Sequence, residues 1–204
     1  MSKMIPDLEG AFRRLVPVRD VLLKELEEEA QHERIPIIGP VMGALLYVLA
    51  RAMCAGVVLE LGTATGYSAI YLGRACKETM GRVVTLERDK AMAKRAIANF
   101  KRAGLAGFIE LILGDALVEM EKLPGPFDMV FVDIDKEDYL PALSHCHRLL
   151  RTGGLLIADN VGFQGADAFN RALSESPDWK AVHLLSFLPF HSPEKDGLCL
   201  ALRL

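Results

Sequence analysis

The chain has 204 residues, 51% of them hydrophobic and 25% charged, with a formal net charge of -3 at pH 7. That suits one domain with a sizeable core, expected over 1–204. Phosphate binding needs clustered Lys and Arg, and this balance with no basic face excludes nucleic acid as the expected partner.

In chain order, the start carries Lys3, Asp7, Glu9, Arg13 and Arg14 and no apolar segment, so no secretory signal is expected. Two helices are expected over Asp7–Leu15 and Val18–Ala30, separated by Pro17. The run Lys24-Glu25-Leu26-Glu27-Glu28-Glu29 is expected to be a solvated helix face. The most apolar stretch, Ile35–Ala50, contains two prolines and two glycines and stops at Arg51, too short and broken to span a membrane. A helix over Val41–Met53 completes an N-terminal helical part, 1–56, ahead of a core over 57–204.

From there strands and helices alternate. Val57–Leu61 is a short apolar run ending at a glycine, the pattern of a buried strand, and a helix over Tyr67–Cys76 follows. Arg82–Glu87 is the second strand. Asp89 is placed to cap the next helix and Gly104 to end it. Phe108–Leu113, Phe127–Val132 and Leu155–Ala158 are strands three to five, with Tyr139, Leu140, Leu143, Cys146 and Leu150 on one face of the helix between the last two. A helix over Ala166–Leu173 leads to strands at Val182–Leu185 and Leu198–Leu202, which should pair antiparallel across a long loop. Apolar strands joined by helices give an α/β fold, a mostly parallel sheet covered on both faces. Cys54, Cys76, Cys146 and Cys199 show no CxxC spacing and are expected to be buried reduced thiols of a cytoplasmic protein.

Such sheets bind ligands beyond the carboxyl ends of their central strands. Strand one ends in the turn Gly62-Thr63-Ala64-Thr65-Gly66, strand two in Glu87, strand three in Gly114-Asp115, strand four in Asp133, strand five in Asp159-Asn160. Converging carboxylates repel, so a cation is expected among them. A dinucleotide fingerprint needs glycine at the first, third and sixth positions. Here the third is Ala64 and the sixth Tyr67, which argues against a pyrophosphate. Gly62 and Gly66 leave room for an amino acid and a nucleoside, with Glu87 placed for the ribose hydroxyls. Asp133, Asp159 and Asn160 are hard oxygen donors suited to Mg²⁺, Mn²⁺ or Ca²⁺. Lys136, just beyond Asp133, is the candidate base where a nearby cation and partial burial favour its neutral form. For each residue alone a structural role is open: a ligand-free turn, a cap at Asp159-Asn160, or a Lys136–Asp133 ion pair. A nicotinamide-dependent oxidoreductase and a non-catalytic binding domain also stand as alternatives.

With these residues in view, the chain resembles the class I S-adenosylmethionine (SAM) methyltransferases, and more narrowly the cation-dependent O-methyltransferases typified by catechol and caffeoyl-CoA O-methyltransferases. The resemblance runs from about residue 35 onward. It is strongest at Leu59–Ser68, Phe127–Tyr139 and Leu155–Val161, and Asp133-x-x-Lys136 with Asp159-Asn160 is its specific part. It implies a Rossmann-like, seven-stranded sheet with an antiparallel last strand. It implies that Glu60, Gly62 and Ser68 contact the methionine end of SAM, that Ile38 lines the same pocket, that Glu87 binds the ribose, and that Arg88 and Gly114-Asp115-Ala116 lie near the adenine. Asp133, Asp159 and Asn160 would hold Mg²⁺ (or Mn²⁺ or Ca²⁺), Asp133 also lying against the cofactor, and Lys136 would be the base. The implied acceptor is a small hydroxylated molecule, catechol-like or hydroxycinnamoyl-like, and the implied assembly a homodimer. A methyltransferase acting on nitrogen or oxygen without metal is the nearest alternative. Pro189 stands where the catechol enzyme has an acid, and Asp135 and Gln164 replace parts of its aromatic wall. A loop over Pro189–Lys195 is placed to reshape the acceptor pocket. His191 within it is expected at the surface, and His145 and His147 have no evident metal partners.

Overall fold

The computed structural model describes residues 3–204, so the first two positions of the expected domain lie outside the described residues. Three helices come first, α1 (Leu8–Arg13), α2 (Val21–Glu33) and α3 (Gly39–Ala52). Then follow β1 (Val57–Leu61), α4 (Tyr67–Glu78), β2 (Arg82–Glu87), α5 (Lys90–Arg102), β3 (Ile109–Leu113), α6 (Ala116–Lys122) and β4 (Phe127–Val132). The remainder is α7 (Tyr139–Leu149), β5 (Leu150–Ala158), α8 (Asp167–Glu175), β6 (Trp179–Phe187) and β7 (Lys195–Arg203). The strands form one seven-stranded sheet in the order β3-β2-β1-β4-β5-β7-β6. Only β7 runs against its neighbours, pairing antiparallel with β5 and β6. The expected Rossmann-like architecture is therefore present, with the antiparallel strand set inside the sheet and β6 at its edge.

Alternation along β1 explains the two-sided core. Val58 belongs to the cluster shared with Met42, Leu46, Ile70 and Phe131, whereas Leu59 and Leu61 belong to the one holding Tyr139 and Phe169. Chain order reverses at β1, which lies between β2 and β4. The carboxyl ends of β1 and β4 thus border the crevice in which such sheets bind ligands.

Several boundaries differ from the expectation for physical reasons. Helix α2 starts later, because Asp20 caps it by accepting from the Leu23 amide at 3.0 Å, and it ends where Arg34 turns left-handed. Its acidic run is not wholly solvated. Glu27 is only 13% exposed, pairs with Arg19, and accepts from the Tyr67 hydroxyl at 2.6 Å. Strand β5 begins five residues early, since the Thr152-Gly153-Gly154 punctuation is a register shift opposite β4 rather than a loop. Helix α6 escaped prediction because its seven residues bury only Met120. The cysteine expectation needs one correction: Cys54 is exposed in the turn after α3, while Cys76, Cys146 and Cys199 are buried, with thiols pushed up to about 12 by that burial. Among the described residues no helix is long and apolar enough to cross a membrane.

Candidate active site

A cavity of about 660 Å³ opens at the carboxyl ends of the central strands, within the size range of small-molecule sites. Ile38, Gly62, Ser68, Glu87, Arg88, Gly114, Asp115, Ala116, Asp133, Lys136, Asp159 and Asn160 all line it. The turn after β1 is built for close approach. Gly62 has φ +91° with the Asp133 carbonyl where a Cβ would stand, so only glycine fits. Glu87 clamps the same turn. Its Oε2 accepts from the Thr63 and Ala64 amides at 3.2 and 2.7 Å, and its Oε1 from the Asp89 amide at 2.7 Å. A carboxylate offers about four acceptor positions, so the acid expected to bind ribose keeps room for it while shaping the turn.

Glu60 is the expected site residue without a surface on the cavity. It lies fully buried beneath the turn, where Thr85 donates to its Oε2 at 2.6 Å and Thr85 is in turn bonded to Thr63 at 2.5 Å. From that position one layer below the cavity it supports the turn through Thr85 and Thr63. Burial pushes its carboxyl up to about 8, against the pull of the Ser68 and Thr85 hydroxyls, and its Oε1 has no hydrogen-bond partner among the described residues. An orphaned acid beneath a glycine cradle fits a ligand with a cationic head, such as the ammonium and sulfonium of SAM. Arg88 and Asp115 sit at the mouth, Arg88 paired with Asp135 at 2.7 Å and Asp115 capping α6 through the Val118 amide. Tyr67, where a dinucleotide fold needs glycine, is buried.

The other half of the cavity is built from side chains. Enclosure raises the Asp133 carboxyl above the usual range, with Lys136 opposing and Asp159 reinforcing the shift. Lys136 spends all three ammonium protons, on Asp133 Oδ1 at 3.1 Å, the Ile134 carbonyl at 3.0 Å and the Tyr139 hydroxyl at 2.9 Å. Tyr139, fully buried, donates onward to the Asp159 carbonyl at 2.8 Å. Asn160 donates through Nδ2 to Asp196 Oδ2 at 2.6 Å and toward the Ser192 carbonyl at 3.4 Å, which leaves its amide oxygen free as a donor atom. Asp196, buried, also accepts from the Gly162 and Gly197 amides. Among the described residues no three His, Cys, Asp or Glu side chains converge as a metal site, so a cation here depends on the Asn160 oxygen. Two carboxylates and one amide oxygen, all hard donors on one cavity, fit a divalent cation that keeps open positions.

The surface assignment of His191 is overturned. The residue is 5% exposed, with Nε2 2.7 Å from Asp159 Oδ2 and Nδ1 2.6 Å from the Pro193 carbonyl. Burial alone would lower its pKa, but the bond to and charge of Asp159 raise it. His147 packs edge-on to Trp179. Tyr139, Asp196 and His191 were missed as polar site residues. Tyr139 counted only as one apolar face position of a helix, while His191 lies on the β6–β7 connection and Asp196 at the start of β7, both far in sequence from the residues they touch.

A family profile described as O-methyltransferase matches residues 16–186. The chain is 36% identical over 183 residues to a catechol O-methyltransferase of Niastella koreensis, covering 81% of each chain. In structure it is similar to an O-methyltransferase from Streptomyces achromogenes involved in tomaymycin synthesis, solved with SAM (TM-score 0.86, 30% identity, 96% and 95% covered). It is also similar to an O-methyltransferase from Bacillus cereus solved with S-adenosylhomocysteine (SAH) (TM-score 0.86, 28% identity, 97% of each chain).

Proposed function

The chain belongs to the O-methyltransferase family, a SAM-dependent one, and from that premise we propose that it methylates one of two adjacent hydroxyls on a small catechol-like or hydroxycinnamoyl-like acceptor with the help of a divalent cation. The observation that carries this reading is that Asp133, Asp159, Asn160 and Lys136 share one cavity with the glycine turn. Family membership sets aside the oxidoreductase and the non-catalytic binding domain.

SAM supplies a methyl group on a sulfonium, and a cation held by Asp133, Asp159 and the Asn160 oxygen would favour the ionised form of an acceptor hydroxyl. The chain's own residues do the rest. Gly62 and Gly66 let the backbone close on the cofactor, Glu87 holds the turn and offers acceptors to a ribose, and Ile38 adds an apolar wall. Lys136 takes the hydroxyl proton, which requires the neutral amine with its lone pair turned away from one of its three present partners. Holding both reactants in one cavity turns the transfer into an effectively unimolecular step.

The test is a methyl-transfer assay on vicinal diphenols with metal-stripped protein, with and without Mg²⁺, alongside Asp159→Asn. Stripping and substitution should each lower turnover at least about 100-fold, while SAH binding stays within about threefold. Full turnover by the stripped protein would remove the cation.

A further inference from the structure

We infer that His191 is a positioning residue, fixing the Asp159 carboxylate for cation binding and pinning the Leu188–Glu194 loop as the acceptor-side wall of the cavity. This rests on the cation reading above. The carbonyl of Pro193 can only accept, so Nδ1 is a donor. Nε2 faces Asp159 Oδ2 at 2.7 Å, and no ring nitrogen is left for an acceptor molecule. A base role for His191, which a metal-free mechanism would want, is closed by that geometry. The same bond completes the hold on Asp159, whose Oδ1 accepts from the Asn160 amide at 2.9 Å. Both carboxylate oxygens are thus oriented, one of them from 32 positions away.

The loop is fastened on its far side too. Glu194 is forked by Arg13, accepts from the Phe190 amide at 2.9 Å, and returns its carbonyl to the Leu188 amide at 2.7 Å. Gly39, at φ +66°, passes so close that a Cβ would lie 2.6 Å from the Phe190 carbonyl. Ser192 and Pro193 line the cavity, and the Ser192 carbonyl lies toward Asn160. Two candidate cation ligands and one wall of the pocket therefore depend on one short segment. Outer partners that orient a ligand typically change metal affinity 10–100-fold when removed.

The experiment is Mn²⁺ binding, by electron paramagnetic resonance and calorimetry, to wild type, His191→Phe and His191→Gln, with SAH affinity measured in metal-free buffer. His191→Phe should weaken Mn²⁺ about 10–100-fold, while His191→Gln, which restores an N–H, should recover most of it. SAH affinity should stay within about twofold in both, since its half of the cavity is separate. Equal Mn²⁺ affinity in wild type and His191→Phe overturns the inference and leaves the cation reading intact. No Mn²⁺ binding by wild type overturns the cation reading and the positioning role with it. Should His191→Phe fail to fold, ¹⁵N-histidine spectra of wild type decide: the His191 ring signals should shift as Mg²⁺ saturates, and unmoved signals overturn the inference.

Discussion

The cofactor half and the acceptor half of the cavity are made in different ways. The cofactor half is mostly backbone: a glycine turn, the helix that follows it, and Glu87 clamping two turn amides from 24 and 23 positions on. The acceptor half is mostly side chain, and its key bonds join residues 32 and 36 positions apart, His191 to Asp159 and Asn160 to Asp196. A half made of local backbone tolerates change elsewhere, because adjacent residues and sheet register hold it. One made of long-range polar contacts is only as well aimed as its farthest partner.

The largest expected effect that would sharpen this contrast is at Lys136. Lys136→Ala should lower turnover about 100- to 10,000-fold near neutral pH and leave SAH binding nearly untouched. The deficit should shrink as pH rises and the acceptor ionises unaided. An even deficit across pH would remove the base. A smaller effect is expected from Tyr139→Phe, which takes away a hydroxyl that accepts from Lys136 and donates to the Asp159 carbonyl. Losing this buried bond should cost about 1–3 kcal/mol in urea denaturation and about tenfold in kcat, with SAH affinity preserved. Turnover at the wild-type level would show that Lys136 needs no such support.

The effect with the smallest reach into turnover belongs to the cofactor half and is read in stability. The Glu60 carboxyl is held up to about 8 in the fold against 4.5 ordinarily, so the folded state keeps a proton that the unfolded chain has shed. The ligand-free protein should therefore lose stability as pH rises from 4.5 toward 8 and level off above that, by an amount on the order of a few kcal/mol. Asp133 and Glu87 push the carboxyl the same way, and Ser68 and Thr85 oppose them. Glu60→Gln should flatten the slope of Tm against pH, though not wholly, since Asp133 is also raised. An unchanged slope would place the titration elsewhere.

Much of this contrast could be read before any coordinates. Alternating apolar runs fixed the parallel core, and the acids at strand ends marked both halves, because strand ends follow directly from hydrophobic patterning. Asp133, Lys136, Asp159 and Asn160 were legible since each stands at or just beyond such an end. His191 and Asp196 were not. Their neighbours in sequence say nothing of β5, and only the pairing of β7 between β5 and β6 brings them to Asp159 and Asn160. Glu60 was legible as a residue beside the turn, while its burial one layer beneath the cavity follows only from the packed sheet.

The order β5-β7-β6 has a consequence for assembly. A chain emerging residue by residue makes β6 before β7, and until β7 arrives β6 has no strand beside it. The residues expected around the cofactor, Ile38 to Asp133, all precede β5 in the chain. The other half waits for the segment that carries His191 and Asp196, so the place for the acceptor is the last part of the cavity that synthesis can complete.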